Sequence, residues 1–347
     1  MNKRTSLKDI AGAVGVSITL VSYVLNNKKE NRINKAVAQK IREVAKALNY
    51  QPNQIAKSLK TNKTRTLGLI VADIANPFSA SLARIIEDEA DRQQYTVLFG
   101  SSDEKAQKGQ KLIDTFLNRQ VDGLLIAATE GMEPQIADLQ QRGIPFVLID
   151  RYFPHLRTSY VALNNYQAIY TAVQHLIDSG YRRIGMVTFN SSLFHISERA
   201  RGYQSALNDN NIPFQKRWLK EVRVDNLIGD VAKAFRELRT GQQPVEAIVF
   251  TSNSLSLLGL KQIRLLDIRV PQELAVVGFD ETEAYDLFYA PLTFIQQPLQ
   301  AMGQLATKVL LETLATPGQI TQANLDATLV IQASTKPHYL PSPELFL

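Results

Sequence analysis

The chain contains no cysteine among its 347 residues. That removes disulfides, thiolate metal sites, iron–sulfur clusters and cysteine nucleophiles together, and it suits a reducing compartment. Histidine is scarce: only His155, His175, His195 and His338 occur, and no two stand at metal-ligand spacing. No window reaches eighteen uninterrupted apolar residues, so no segment reads as a membrane span. The first residues, MNKRTSLKDIAGAVGV, lack the apolar block and cleavage site of a secretory signal, which sets the expectation of a cytoplasmic protein. A Gly-rich P-loop, a GxSxG elbow and an HExxH pair are also missing, which counts against an enzyme. Neither a metal nor a cofactor is expected.

What is present is unevenly distributed. The formal net charge is +6. Residues 1–65 carry 14 Lys and Arg against Asp9, Glu30 and Glu43, a formal +11, and the remainder of the chain is −5. A basic head on a mildly acidic body points to a polyanionic partner for the head, or else to a solvated basic face. With 45% hydrophobic residues, the chain has material for more than one core.

The first 50 residues read as three helices. Leu7, Ile10, Ala11 and Val14 recur at helical spacing behind Ser6, a candidate N-cap. Gly15 breaks that helix, and Ser17 caps a second one whose Leu20, Val21, Val24 and Leu25 face inward. After a polar loop, Asn34 caps a third helix with an apolar stripe of Val37, Ile41, Val44, Ala45 and Leu48. Pro52 follows, and Asn53 caps QIAKSLKT, a segment too short to hold a helix alone in water. Ala11 lets the first two helices approach, Gly15 supplies a left-handed turn, and Ile10 and Val21 fill the seam. This is the pattern of a helix-turn-helix, whose second helix would present Ser17, Ile18, Thr19, Ser22 and Tyr23 to a major groove. A three-helix miniature bundle without DNA function fits the same spacing.

From Thr66 the pattern changes. TLGLIVAD, YTVLFG, VDGLLIAA and IPFVLID are β-rich apolar runs separated by helical windows at 82–94, 104–119 and 133–141, with YVALN as a further strand. The alternation then restarts: RRIGMVTF, helix 196–210, LKEVRV, helix 228–239, VEAIVF, helix 254–265 and ELAVVGF. A helix at 298–314 and one more strand, ANLDATLVIQAST, follow, and PHYLPSPELFL reads as weakly ordered. Two successive α/β sets imply two lobes, each a parallel sheet covered on both faces.

LKDIAGAVGVSITLVSYVLN, followed by NYQPNQIAKSLKTNKTRTLGLIVADIANPF, resembles the LacI/GalR family of bacterial transcription regulators. DGLLI, VLIDR, ERARGY, VVGFDETE and APLTFIQQP follow in family order over nearly the whole chain. The resemblance implies an N-terminal all-α helix-turn-helix domain (1–51) and a hinge helix with linker (52–65). It further implies an α/β two-lobed effector domain with parallel sheets, of the periplasmic-binding-protein-like type I fold (66–340). The first lobe is expected at about 66–162 and 294–323, the second at about 163–293 and 324–340. Departures from the family are also visible. Leu20 and Tyr23 stand where Thr and Arg are usual, which implies an altered operator. Ser254 replaces the Asp that usually follows Asn253.

The resemblance also implies roles. Besides the outward residues of the second helix, Ser6, Asn26, Asn34 and Asn53 are candidate DNA contacts. Paired hinge helices would enter the minor groove with Leu59 as wedge, Ala56 as the point of close approach, and Lys57, Lys60 and Lys63 on phosphates. One helix-turn-helix covers half a site, so a homodimer on a palindromic operator is expected, formed largely through helix 82–94 and neighbouring segments of both lobes. Candidate effector contacts are Asp73, Asn76, Phe78, Asp150, Arg151, Asn253 and Asp280 at strand ends, and His195 and Arg199 where helix 196–210 begins. For Asn76, Arg151 and His195, loop capping or a salt link between lobes is an equal explanation, and Phe78 could be core. The implied function is repression of carbohydrate-utilisation genes, relieved when a small sugar-type effector between the lobes melts the hinge helices. The alternatives are a purine or sugar-phosphate corepressor with the same architecture, and a sugar-binding receptor without DNA function.

Overall fold

The computed structural model describes residues 5–28, 32–51, 63–240 and 242–336. The expected hinge segment, with Asn53, Ala56, Lys57, Leu59 and Lys60, and the terminal PHYLPSPELFL lie outside the described residues. The chain divides into two compact units, Met1–Thr64 and Arg65–Leu347.

In the first unit α1 (Leu7–Val14), α2 (Ile18–Leu25) and α3 (Lys35–Ala47) enclose a small core. Ile10, Val21 and Ile41 are wholly buried at its centre, with Ala11, Val24 and Ala45 around them. Leu48, expected in the stripe of α3, instead caps the helix C-terminus and is 40% exposed. The stripe ends one turn earlier because the helix does.

The second unit holds two six-stranded sheets. In the first, β1 (Thr66–Val71), β2 (Thr96–Ser101), β3 (Gly123–Ile126), β4 (Phe146–Asp150), β5 (Tyr160–Leu163) and β11 (Gln322–Leu325) lie in the order β11-β5-β4-β3-β1-β2, all parallel. α4 (Pro77–Arg92) and α11 (Leu299–Ala315) cover one face, while α5 (Ala106–Asn118) and α6 (Glu133–Gln141) cover the other. The second sheet repeats the order with β6 (Ile184–Phe189), β7 (Leu219–Val222), β8 (Ala247–Phe250), β9 (Ala275–Phe279), β10 (Thr293–Gln296) and β12 (Thr328–Val330), as β12-β10-β9-β8-β6-β7. Only the β10–β12 pair in it is antiparallel. Its faces are covered by α7 (Asn165–Asp178) with α8 (Phe194–Asp209), and by α9 (Leu227–Arg239) with α10 (Asn253–Leu265). Cover on both sides explains why β3, β8 and β9 are continuous apolar runs, buried at every residue.

The structure amends the expected lobe boundaries. Thr293–Gln296 pairs with β9, because Phe294 and Ile295 fill second-lobe cores, so the chain recrosses after Gln297 and not before Phe294. ANLDATLVIQAST is two strands rather than one: β11 closes the edge of the first sheet and β12 that of the second. Between them, Asp326 Oδ1 accepts from Asn164 Nδ2 at 3.0 Å, bracing two of the three crossings together. Helix α7 was not expected at all, although Ala168, Ile169, Ala172, Val173 and Leu176 form its buried stripe.

Candidate functional site

Local chemistry fixes the head. Ser6 and Asp9 form a reciprocal capping box at the start of α1, with Ser6 N donating to Asp9 Oδ2 at 2.8 Å. Gly15 takes φ +79 and turns the chain so that α1 and α2 lie 108° apart, within the range of a helix-turn-helix. Ser17 Oγ then accepts from Leu20 N at 3.2 Å to start α2. The turn leaves Ser17, Ile18 and Thr19 exposed, with Ser22 and Tyr23 half-buried along the same helix. Ser6, Ser17, Asn26 and Asn34 all have structural work of their own. Asn26 Nδ2 donates to Ser22 O at 2.8 Å, and Asn34 Oδ1 accepts from Ala36 N at 2.9 Å. Their side chains set helix ends, and each remains at the surface.

In the body, the carboxyl ends of both sheets face a cleft of about 480 Å³. Asp73, Asn76, Phe78, Asp150 and Arg151 line it from the first lobe, His195, Arg199 and Asp280 from the second. Asn76 also caps α4, accepting from Phe78 N at 3.1 Å, and Phe78 packs partly on the first-lobe core, so each has a structural role besides its place in the cleft lining. Asp150 and Asp280 occupy matching places just at or beyond β4 and β9, both with left-handed backbones (φ +68 and +65). That conformation turns each chain sharply off its strand at the cleft wall.

Arg199 is 5% exposed and lies near enough to both carboxylates for each to act on its charge. Its Nε donates to Asn165 Oδ1 at 2.7 Å, one terminal nitrogen donates to Thr251 O, and its guanidinium lies 3.9 Å over the Phe279 ring. Burial lowers its pKa to about 10 against the opposing pull of Asp280 and Asp150. Burial likewise raises both aspartates above the usual carboxylate range, though Arg151 and Arg199 pull Asp150 down, and Gln297 and Arg199 pull Asp280 down. His195 is held well below its ordinary value by burial and by the neighbouring Arg151 and Arg199, so it is neutral, and its Nδ1 has no partner among the described residues.

Several cleft residues escaped the reading of the sequence. Glu104 clamps Arg151 through two bonds of 2.7 and 2.8 Å. Gln297, beside the second crossing, donates to Asp280 Oδ1 at 2.7 Å and leaves its own Oε1 unmatched. Glu130 reaches across the rim to Ser191 Oγ (2.9 Å) and Ser192 Oγ (2.7 Å), and these donors hold its carboxyl below its usual range. The IQQP string was quoted without a role for Gln297; its place after a strand and before a proline was the available signal. Asn253 is the converse. Ser252 and Ser254 line the cleft on either side of it, while Asn253, the first residue of α10, is 2% exposed and supports Asp280 through its own N–H (3.3 Å).

A family model of periplasmic binding proteins and the sugar binding domain of the LacI family matches residues 64–336, and a model of bacterial regulatory proteins of the lacI family matches residues 6–53. The chain belongs to the LacI family. As a LacI-family member it is a DNA-binding transcriptional regulator with an effector-binding body. It is 30% identical over 329 residues to the ribose operon repressor of Escherichia coli K12, covering 94% of this chain and 98% of that one. It is 30% identical over 313 residues to the transcriptional repressor PurR of Aliivibrio fischeri strain MJ11, covering 89% and 91%. The fold matches that of the lac repressor dimer bound to operator and an anti-inducer, with a TM-score of 0.82 at 20% identity over 96% of this chain and 99% of that one. Among the described residues no single helix is long and apolar enough to cross a membrane.

Proposed function

We propose that this LacI-family protein is a cytoplasmic homodimeric repressor of carbohydrate-utilisation genes, released from a palindromic operator by a sugar-type effector held between the lobes. One observation carries the reading: a buried guanidinium, Arg199, lines one cleft with two buried aspartates, Asp150 and Asp280, that stand at the ends of β4 and β9 and act on its charge. Carboxylate acceptors around a guanidinium donor match the alternating hydroxyls of a polyol, and Phe78 and Phe189 on opposite walls offer apolar faces to its ring. Asp73, Asn76, Arg151 and His195 would complete the contacts, with Asn253 acting behind Asp280. Turnover is not part of the reading, because Glu104 and Glu130 are already committed to Arg151 and to the two serines.

On the DNA side, Ser17, Ile18, Thr19, Ser22 and Tyr23 would read the major groove, with Leu59 of the hinge as wedge. Pairing is supported by a second concavity, a shallow groove of about 1040 Å³ on the second lobe lined by Leu257, Leu260, Leu287, Phe288 and Tyr289. Leu287 is 87% exposed and Tyr289 65%, an apolar surface of the kind subunit contacts cover. The test is calorimetric titration of the full chain against a panel of sugars, followed by operator binding with and without whichever sugar binds. A bound sugar that leaves operator affinity unchanged overturns the proposal.

A further inference from the structure

The preceding reading leaves open which effectors the cleft refuses. We propose that the effector carries no phosphate or carboxylate group, and that Glu104 is the residue that enforces this by occupying Arg151. The inference rests on the sugar-effector reading and narrows it.

Among the described residues, six carboxylates and three guanidiniums line the cleft. Each guanidinium already has a carboxylate of the protein itself nearby. Arg151 is held by the two bonds from Glu104 and by Asp150 Oδ2, 3.5 Å from its Nε. Arg223 is held by Asp230 at 2.9 and 3.1 Å. Arg199 shares the cleft with Asp150 and Asp280, whose charges both act on it. Two of the helix N-termini at the cleft, the usual alternative anion sites, are answered too, while α8 and α9 begin there without a side-chain cap. The start of α10 is served by Ser252 Oγ and by the Asp280 carboxylate, and that of α4 by Asn76 Oδ1. Ser192 N, just before α8, donates to Glu130 at 3.3 Å.

The buried wall leaves acceptors open as well as donors: Gln297 Oε1 has no hydrogen-bond partner among the described residues, and neither have Arg151 Nε and His195 Nδ1. The Asp150 carboxylate has Arg151 Nε 3.5 Å from its Oδ2 and Arg199 near enough to pull its pKa down, and it accepts from no backbone N–H or hydroxyl among the described residues. Hydroxyls can donate to these acceptors and still accept from Arg199. A phosphate can only accept, and would bring its charge against Asp150, Asp280 and Glu104 in a low-dielectric site. Glu104 is the pivotal residue because its fork engages both terminal nitrogens of Arg151, the geometry in which a guanidinium would otherwise grip an anion. Glu104→Gln retains the size of the side chain and uncovers that charge.

The experiment titrates the full chain with neutral sugars and with the phosphorylated and carboxylated derivative of each, at fixed ionic strength. An uncharged sugar should bind, and its anionic derivatives should bind about 100-fold more weakly. In Glu104→Gln that gap should narrow by about tenfold or more. An anionic derivative that equals or exceeds its parent in the native protein overturns the inference. Inorganic phosphate tests the same point without knowledge of the sugar. It should raise the melting temperature of Glu104→Gln relative to matched chloride, an effect lost in Glu104→Gln/Arg151→Gln, and should leave the native body unaffected. Phosphate stabilisation of the native chain that Arg151→Gln abolishes, or none in Glu104→Gln, refutes the role of Glu104. The broader reading fails differently: no sugar alters operator binding, whatever phosphate does.

Discussion

Arg199→Met removes one charge from the centre of the cleft and keeps much of the side-chain volume. It leaves Asp150 and Asp280, both buried, without the guanidinium whose charge acts on them, and it leaves Asn165 Oδ1 and Thr251 O without their donor. Removing one partner from a buried charge cluster costs about 3–5 kcal/mol, because the remaining charge is stranded. For a unit of this size, roughly 2 °C of melting temperature follows each kcal/mol, so the body should lose roughly 6–10 °C at neutral pH. The loss should depend on pH with a definite sign. Burial already holds both carboxyls above their usual range, and removing the guanidinium raises them further. Their charged forms therefore destabilise the variant fully above the raised pKa values, and the penalty fades as pH falls through those values and the carboxyls protonate. Differential scanning fluorimetry of both proteins from pH 8 down to pH 5 should show the gap narrowing toward acid. At 20 °C and neutral pH the variant should bind operator within about threefold of the native protein but fail to respond to effector. A melting gap below about 1 °C, or one that widens as the pH falls, would refute the view of Arg199 as a counter-ion to these carboxyls.

Three further outcomes are expected. Glu130→Ala removes the carboxylate that joins the rims through Ser191 and Ser192, and since the rim is partly solvated the closed form should lose about 1 kcal/mol, read as a roughly fivefold faster release of effector. An unchanged release rate contradicts a clasp. In Gly202→Ala the new Cβ would stand 2.3 Å from Tyr166 O on α7, and since that atom is backbone, the helices must separate at a cost of about 1–3 kcal/mol. The melting temperature should fall, and sensitivity to effector with it, because the same movement parts Arg199 from Asn165. A variant as stable as the native chain would show that the helix pair yields freely. Leu287→Asp should convert a dimer to monomer in analytical ultracentrifugation, and an unchanged mass would place the subunit contact elsewhere.

How far the sequence could be read depended on whether the physics was local. Caps and turns involve neighbours a few residues apart, so Ser6, Ser17, Asn34 and Gly15 were legible at once, and the structure gives them those roles. Strands buried on both faces are unbroken apolar runs, so the two sheets were legible as well. Asp150 and Asp280 were legible at the cleft because strand ends in such sheets line the crevice, and Arg199, at the start of a helix, through the family resemblance. Partnerships across long separations were not legible. Nothing near Glu104 announces Arg151, and nothing near Glu130 announces the two serines on the facing lobe. Asn253 and Ser254 illustrate the finest limit: adjacent residues at a helix start differ in whether they meet the cleft, and only the register of the helix decides. The third crossing, expected near 323–324, falls at Asp326–Ala327, and the run was read as one strand because Asp326 alone marks the change of sheet.

The division of the last strands between the sheets bears on biosynthesis. Tyr160 pairs with Gln322, and the apolar side of Pro77–Arg92 is covered by Leu299–Ala315. A ribosome making this polypeptide therefore extrudes the first half with one flank bare and one border unpaired, and must add most of the second half before either is sealed. The order of synthesis and the order of completion are opposed. Nascent chains arrested between residues 165 and 298 should accordingly be the aggregation-prone species, and the ones for which chaperone capture matters most.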